Sequence, residues 1–408
     1  MSNTAKQAPD NLERFYQAKL SDPYPVYHHL RSEDPVHWSD HIGAWILTRY
    51  DDVKAAANDP RFSSVRAHYF MNQLPETAQE RLRPLGHQLA LWLIHMDPPD
   101  HTRVRSLVHK AFVPQVVEGL RDSVHQIVNE LLDGVAEAGE IDVMGDLAYP
   151  LTASVIAELL GIPTEDRIRF RNWSDNINGF VGAAHVTTRR AELAQGSMLE
   201  LMDYLHDLLE QRRQSPRDDF VSGLIAVEEE GDRLNEEELL ALGVLLLFAG
   251  HETTANQIGN AVLALLRNPE QLQKLQREPT MINDAVEELL RYDSSVQRLG
   301  RVATEDIEIC GKPIRQGEFI AAMLGAANRD PAHFAEPDKL DIEREQNSHL
   351  SFGYGKHYCI GAPLARLELQ IVLSTILSRF PCLRLKTDEV EWYDNFGQRF
   401  LRSLPVIF

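Results

Sequence analysis

The chain has 408 residues, with 41 Lys and Arg against 61 Asp and Glu, which gives a formal charge of −20. This charge argues against DNA, RNA and anionic membranes as main partners. Hydrophobic residues make up 43% of the sequence, which is ample for a core and argues against disorder as the main state. Length alone allows two or three domains of roughly 150 residues each. No linker, repeat or shift in composition divides the chain, so residues 1–408 are expected to form one large domain.

The number of cysteines and the length of the apolar segments indicate the cellular compartment of the protein. Three cysteines, Cys310, Cys359 and Cys382, are too few and too scattered for a disulfide scaffold, and they suggest a reducing compartment. The N-terminal residues lack the apolar core of a signal peptide. The longest apolar run, Leu239 to Gly250, has twelve residues, fewer than the roughly 18 that a membrane-spanning helix needs. A cytoplasmic protein without a membrane partner is therefore predicted.

The first predicted element is a β-hairpin of residues 35–38 and 44–48 around a turn that contains Gly43. Apolar positions at three- and four-residue spacing then predict helices over much of 103–160 and 190–230.

Short strands return near the C-terminal end. Residues 302–325 are predicted to contain several, with turns at Gly311 and Gly317. Residues 403–408 are predicted to form a last edge strand.

One long helix is predicted between Asn235 and Pro269. Asn235 can cap its N-terminus, with Glu238 at the capping-box position. The next proline is Pro269, which allows about 33 residues, or roughly 50 Å at 1.5 Å per residue. The helix is apolar almost all round in its first half, so it should run through the core. Polar residues then appear in its middle, over 250–254, where burial is costly unless they have a role or the helix surfaces there.

A glycine-rich loop around Cys359 carries the strongest chemical signal. Its glycines allow a tight loop, and a helix is predicted from Leu364 to Leu377 with Pro363 in its first turn. Cys359 would then lie at a helix N-terminus, where the dipole favours a thiolate. A nucleophile would need a base that His357 is poorly placed to be, and a zinc site would need more ligands. An axial ligand of haem iron needs only one cysteine, and an inert buried cysteine is the plain alternative.

Two further patterns are weaker. Residues 101–117 and 346–367 contain no acid although the chain is acidic overall, which suggests bound anions, an acidic partner or simply a solvated basic face. Glu288 and Arg291 are three residues apart on one helical face and can pair, but surface pairs of this kind contribute little.

Taken together, these residues resemble the cytochrome P-450 family of haem-thiolate monooxygenases, and specifically its soluble bacterial members. Phe352 to Gly361 matches the family's F-G-x-G-x-H-x-C-x-G loop, and Ala249 to Thr254 matches its A-G-x-[DE]-T-[TS] segment. Glu288 and Arg291 match its buried E-x-x-R pair, which the resemblance implies is structural and locks the core beneath the haem. Segments 97–105, 301–306 and 327–331 also look like the family, so the resemblance covers nearly the whole chain.

The resemblance implies a mainly α, triangular cytochrome P-450 fold with a small β-rich lobe and a haem b cofactor. Cys359 would be the axial iron ligand, with Phe352 and Gly353 in its loop. The propionates would be held by His101, Arg105, Arg301 and His357. Ala249 and Gly250 would lie against the haem, and Glu252 and Thr253 would deliver protons.

The implied reaction inserts one oxygen atom from O2 into a C–H or C=C bond of a hydrophobic small molecule, a pattern common in secondary metabolism. The electrons would come from a ferredoxin and its reductase, docked on a basic face that includes Arg103 and Lys110. Segments 67–93 and 177–186 are expected to be lids. The pocket is expected to be lined by Leu245, Ala249, Val296, Leu299, Phe400 and Leu401. Phe400 stands where the family often has glycine, which is expected to alter pocket size.

Other functions stay open at this point. A peroxide-using haem-thiolate enzyme would carry the same loop, although such enzymes often lack the Glu252-Thr253 pair. A haem-binding sensor or carrier would need neither a proton relay nor an electron donor. A haem-free helical interaction protein would leave the Cys359 loop unexplained.

Overall fold

Helices dominate the computed structural model, which describes residues 22–163, 166–183, 186–217, 220–229, 234–393 and 395–408. The helices are α1 (Tyr24–Glu33), α2 (Tyr50–Asn58), α3 (Ala67–Asn72), α4 (Glu76–Arg81), α5 (Arg83–Ala90), α6 (Asp100–Ala111), α7 (Pro114–Gly119), α8 (Arg121–Asp133), α9 (Tyr149–Leu159), α10 (Arg167–Val181), α11 (Thr188–Gln214), α12 (Phe220–Glu229), α13 (Glu236–Arg267), α14 (Pro269–Arg277), α15 (Ile282–Tyr292), α16 (Leu324–Ala327) and α17 (Ala362–Arg379). The mainly helical fold class is therefore confirmed.

The strands are short and form three small sheets. They are β1 (Val36–Ser39), β2 (Ala44–Leu47), β3 (Phe62–Ser63), β4 (Glu140–Asp142), β5 (Arg298–Ala303), β6 (Ile307–Ile309), β7 (Lys312–Ile314), β8 (Phe319–Met323), β9 (Arg384–Leu385) and β10 (Pro405–Ile407). The largest sheet has the order β1-β2-β8-β5-β3, and β2 and β8 are parallel. The hairpin predicted at β1 and β2 is confirmed, with Gly43 at φ 62° in its turn.

Two expectations about strands and lids need correction. The C-terminal strand β10 forms, but it lies between β4 and β9 in the three-stranded sheet and is not an edge strand. Its partners are far away in the sequence, so local pattern could not reveal them. Segment 67–93 is largely helical, as α3, α4 and α5, and is not an open loop. The second expected lid, 177–186, includes residues 184 and 185, which lie outside the described residues.

The predicted long helix is confirmed as α13, which has 32 residues. Both halves of its capping box are present: Asn235 Oδ1 accepts from the N–H of Glu238 at 2.9 Å, and Glu238 Oε2 accepts from the N–H of Asn235 at 2.9 Å. α13 is long and apolar enough to cross a membrane, but 78% of its most apolar window is buried inside the protein, as in a core helix. It packs against α9, α10, α11 and α17. These contacts hold the side chains of α13 in fixed positions at the centre of the protein.

Glu288 and Arg291 of α15 form a fully buried ion pair, with both side chains at 0% exposure. Arg291 donates to both carboxylate oxygens of Glu288, at 2.7 and 2.8 Å, and to the backbone carbonyls of Asn328 and Pro337. Arg344 also donates to Glu288, at 3.1 Å. The pair therefore ties α15 to the irregular chain between β8 and the Cys359 loop. It is a buried pair, as the resemblance implies, and not the weak surface pair that the spacing alone would suggest.

Replacing Glu288 by Ala is expected to lower the free energy of unfolding by about 3–5 kcal/mol, because two buried guanidinium groups lose their counter-charge. Glu288→Gln keeps the shape but not the charge and should also destabilise. Urea unfolding followed by circular dichroism measures both. Lys386→Ala, which breaks the half-exposed pair with Glu140, serves as the control and should cost less than about 1 kcal/mol. Equal losses in Lys386→Ala and the Glu288 variants would contradict this account.

Candidate active site

The loop before α17 is shaped by two glycines. Gly353 and Gly355 have φ of 73° and 71°, in the left-handed region that favours glycine. A methyl group added at Gly355 would also overlap the side chain of Asn58. The loop closes where the N–H of Cys359 donates to the carbonyl of Phe352 at 2.9 Å. α17 begins at Ala362 with Pro363 in its first turn, so Cys359 lies just ahead of a helix N-terminus, as the sequence predicts.

The surroundings of the Cys359 sulfur only partly favour a thiolate. The N–H groups of Gly361 and Ala362 donate to the sulfur, and Arg105 adds positive charge. Burial nevertheless raises the pKa of the Cys359 thiol above its ordinary value, because the loss of hydration outweighs these donors. The helix N-terminus does not by itself outweigh burial at this sulfur, and a cation bound there would favour the thiolate.

A cavity of about 270 Å³ lies between Cys359 and the middle of α13. Cys359 lies within the protein, and the surface that its side chain leaves uncovered faces this cavity. Four of the expected pocket residues line it: Leu245, Ala249, Val296 and Leu299. The other site residues that line it are Gly250, Thr253, Phe352, Gly353, Arg105 and His357.

Many of the apolar residues that line this cavity were not predicted from the sequence. The missed residues come from α6, α9, α13 and the turn after α5, and they include Leu93, Ile94, Val108, Phe112, Ile156, Leu159, Leu242 and Leu246. Helical periodicity marks such residues as core, but it does not distinguish a side chain that meets another side chain from one that borders a cavity.

Phe400 and Leu401 do not line the cavity at Cys359. Neighbouring residues of an extended segment point to opposite sides. Phe400 stacks on Tyr393, with ring centroids 4.6 Å apart, and Leu401 is fully buried and bridges to Trp392. The expectation that Phe400 alters the size of the pocket is therefore wrong.

Gly250 has a different role in packing from the one expected. It does line the cavity, but a methyl group added there would overlap Cδ1 of Ile156 on α9. Its missing side chain thus lets α9 pack closely on α13, in addition to leaving room in the cavity.

Cationic and imidazole groups gather at one side of the cavity. The rings of His101 and His357 are 3.9 Å apart, and His357 Nε2 lies 3.0 Å from Ser64 Oγ. Arg301 is buried and donates to the carbonyl of Gly300 at 2.9 Å. Arg105 donates to the carbonyl of Tyr358 at 2.6 Å. The structure therefore brings together all four residues that the resemblance implied here.

These groups have few anions to neutralise them. Burial and the neighbouring Arg105 lower the pKa of His101 to about 4, and burial with Arg301 lowers that of His357 to about 2. Arg66, which no sequence motif marked, is a fifth member: burial and Arg301 lower its pKa to about 9. Among the residues that the structure describes, Asp97 is the one carboxylate that raises the pKa values of Arg66, Arg301 and His101.

Glu252 and Thr253 are neighbours on α13 but face different spaces. Thr253 lines the cavity at Cys359, and its hydroxyl donates to the carbonyl of Ala249 at 2.6 Å. Glu252 lines a separate, polar cavity, where it accepts a hydrogen bond from Asn178. Successive residues of a helix point about 100° apart, which explains the division.

Comparison with known proteins identifies the family. The cytochrome P450 family model matches residues 41–403. The biotin biosynthesis cytochrome P450 of Bacillus subtilis is 41% identical over 393 residues, which is 95% of this chain and 97% of that protein. The mycinamicin IV hydroxylase/epoxidase of Micromonospora griseorubida is 40% identical and covers 90% of this chain and 89% of its own length.

Solved structures agree. The crystal structure of P450BioI in complex with an acyl carrier protein ligated to hexadec-9Z-enoic acid has a TM-score of 0.88 and 39% identity. It covers 97% of this chain and 100% of that one. The family implies a haem cofactor, and relatives with oxygenase and hydroxylase names make the chain an oxidoreductase. With a cysteine loop that faces a cavity beneath α13, and with these relatives, the chain belongs to the cytochrome P450 monooxygenase family.

Proposed function

We propose that residues 1–408 act as one haem domain that inserts one atom of O2 into a C–H or C=C bond of a hydrophobic small molecule. The observation that carries this proposal is the Cys359 sulfur facing an apolar cavity bordered by Gly250 and Thr253 of α13. The Glu252-Thr253 pair is intact, which favours the use of O2 over the use of peroxide.

The residues present fit haem b with its two carboxylate groups. His101 is 1% exposed, yet neither of its ring nitrogens has a hydrogen-bond partner among the described residues. A buried polar group without a partner is costly, so this position calls for a ligand that supplies one. Two propionates beside His101, Arg105, Arg301 and His357 would supply acceptors and neutralise a cluster that is otherwise mostly positive. Arg66 would contribute to the same field.

Haem bound through iron to Cys359 supplies the binding and reductive activation of O2. The chain's own groups set the conditions for that chemistry. The N–H groups of Gly361 and Ala362 hold part of the negative charge of the sulfur, which tunes its donation. The Leu, Ile and Val side chains around the cavity exclude water from the reacting centre.

Thr253 is placed to pass a proton into the cavity. Its hydroxyl hydrogen now points to the carbonyl of Ala249, so the transfer requires the hydroxyl to rotate away from that carbonyl. Glu252, the preceding residue of α13, holds the proton that would replace the one that Thr253 gives up.

The lining of the cavity supports a hydrophobic substrate. Apolar side chains from several helices and loops surround the space at Cys359. Relatives named for biotin biosynthesis, for polyketide biosynthesis and as a mycinamicin IV hydroxylase/epoxidase fit a role in making or modifying such compounds.

A ferredoxin with its reductase is the proposed electron source. Lys110 and Lys356 are exposed on the acid-free segments, and Tyr358, next to Cys359, is 37% exposed. An acidic ferredoxin could therefore approach within one residue of the sulfur. Arg103 is a weaker candidate for this surface than expected, because it pairs with Glu238 of α13 and is only 30% exposed.

Reversing the charge at Lys356 with Lys356→Glu is expected to slow reduction by ferredoxin by about tenfold at low salt, because charge steering is lost. The difference should shrink as ionic strength rises. Stopped-flow reduction under carbon monoxide measures the rate. Lys386→Glu makes the same change of charge beside β9 and should leave the rate unchanged. Equal rates for Lys356→Glu and the parent protein at every salt concentration would contradict the proposal that ferredoxin docks on this surface.

Cys359 is tested by the absorption spectrum of the reduced protein under carbon monoxide. The parent protein should show the strongly red-shifted Soret band of thiolate-bound haem. Cys359→His should still bind haem but lose that band, because a neutral imidazole replaces the thiolate. A red-shifted band retained in Cys359→His would show that the ligand assignment is wrong.

His101→Leu separates haem binding from stability. Loss of a charge-assisted hydrogen bond to a propionate should speed haem dissociation by roughly tenfold or more. The apoprotein should be no less stable, because the substitution removes a buried group without a partner. Haem transfer to apomyoglobin and urea unfolding of the apoprotein measure the two effects. His109→Leu, exposed on the same helix, is the matched control. Unchanged haem release in His101→Leu would exclude His101 from the propionate site.

A further inference from the structure

A half-buried ion pair lies beside the Cys359 loop. Arg366 of α17 donates to both carboxylate oxygens of Glu287 of α15, at 2.6 and 2.8 Å. The side chains of Arg366 and Glu287 are 27% and 32% exposed, so solvent and salt screen their charges only in part. Segment 346–367 contains no acid of its own, but the fold brings the carboxylate of Glu287 to it from another helix.

Arg366 is held against the residues that fix the position of Cys359. Its guanidinium carbon lies 4.6 Å from the centroid of the Phe352 ring, and the carbonyl of Phe352 accepts from the N–H of Cys359 at 2.9 Å. Its Nη1 donates to the hydroxyl of Tyr358, the residue before Cys359, at 3.2 Å. Burial raises the pKa of the Cys359 thiol, and the positive charge of Arg366 is among the influences that lower it. The sulfur is therefore within the electric field of Arg366.

Glu287 is an anion that a second donor holds in place. His349 Nδ1 accepts from the N–H of Ser351 at 3.2 Å, so the ring hydrogen lies on Nε2, which is 3.2 Å from Glu287 Oε2. Burial alone would raise the pKa of Glu287, but hydrogen bonds from Arg366 and His349 lower it to about 2. Glu287 is thus charged at neutral pH, and it offsets part of the field of Arg366 at the sulfur.

We propose that Arg366 and Glu287 are positioning residues that set the reduction potential of haem iron bound at Cys359. Arg366 favours the reduced state, and Glu287 limits that effect. The inference rests on the proposed monooxygenase function, because iron must be bound at Cys359 to take up an electron. It concerns how strongly the bound iron takes up the electron, and not how the electron donor approaches.

The step affected is the transfer of one electron from reduced ferredoxin to ferric iron. Ferredoxin is oxidised, the iron becomes ferrous, no covalent bond forms or breaks, and no proton moves. The electron adds one negative charge beside the sulfur, so a nearby cation stabilises the product and a nearby anion opposes it. Loss of Arg366 should therefore lower the potential, and loss of the charge of Glu287 should raise it.

The test measures the reduction potential of the haem-loaded full chain, without substrate, by anaerobic spectroelectrochemistry. Arg366→Met removes the charge but keeps a long side chain, and it should lower the equilibrium constant for reduction at least about threefold. Glu287→Gln keeps the shape and should raise that constant at least about threefold. A tenfold change corresponds to about 59 mV for a one-electron couple, so these shifts are measurable. Arg366→Lys keeps the charge and should stay nearer to the parent protein than Arg366→Met.

A second ion pair on α17 provides the matched control. Arg379, at the far end of the helix, pairs with Asp133 of α8. It is roughly 20 Å along the helix from Arg366, at 1.5 Å per residue. Arg379→Met and Asp133→Asn make the same changes of charge, and both should leave the potential at the parent value.

Opposite shifts from the two halves of one ion pair distinguish an electrostatic role from a structural one. Breaking a merely structural pair from either side would loosen the same loop and move the potential in the same direction. Shifts of the same sign in Arg366→Met and Glu287→Gln, or shifts no larger than those of the control variants, would overturn the inference. If Arg366→Met does not bind haem, an unchanged or lowered potential in Glu287→Gln would overturn it alone.

The reduced carbon-monoxide spectrum keeps this inference separate from the proposed function. A parent protein without the thiolate band would contradict the proposed function. A thiolate band in the parent protein and in both variants, with unshifted potentials, would overturn only the role of Arg366 and Glu287.

Discussion

Burial of α13 through the centre of the protein is the constraint on which the rest depends. A helix of 32 residues in the core must satisfy or neutralise every polar side chain that it carries. In the middle of α13, the hydroxyl of Thr253 donates a hydrogen bond to the carbonyl of Ala249. Burial and then Asp175 raise the pKa of Glu252 well above its ordinary value, which favours the uncharged form. Both residues face cavities, so the helix separates an apolar space at Cys359 from a polar one.

Buried charge is handled in two different ways in this chain, and the contrast separates structural from functional groups. Around Glu288, the guanidinium groups of Arg291 and Arg344 meet a carboxylate and several carbonyls, so the cluster is complete without a ligand. Around His101, positive groups crowd together, and both ring nitrogens lack a partner among the described residues. The first arrangement stabilises the fold, and the second is arranged for an anionic ligand.

Motif residues that act through a local backbone shape could be predicted from the sequence. The Cys359 loop needs glycines with positive φ and a helix directly after it, and both leave a signature within about ten residues. The capping box at Asn235 and Glu238 is equally local. Residues that act through contacts between distant elements left no such trace. Arg66 and Asp175 lie on segments whose partners are far away in the chain, and Phe400 was assigned to the wrong cavity for the same reason.

The sequence by itself determined the family, the cysteine at a helix start, the long central helix and the members of the cationic cluster that belong to recognisable motifs. Only the tertiary structure decided which face of α13 each polar residue uses and that Glu252 has Asp175 as a partner. It also decided that burial outweighs the helix N-terminus at the Cys359 sulfur. The physical reason is that φ preferences, caps and helical period are local properties of the chain. Desolvation, cavity walls and contacts between distant residues depend instead on which elements meet in space.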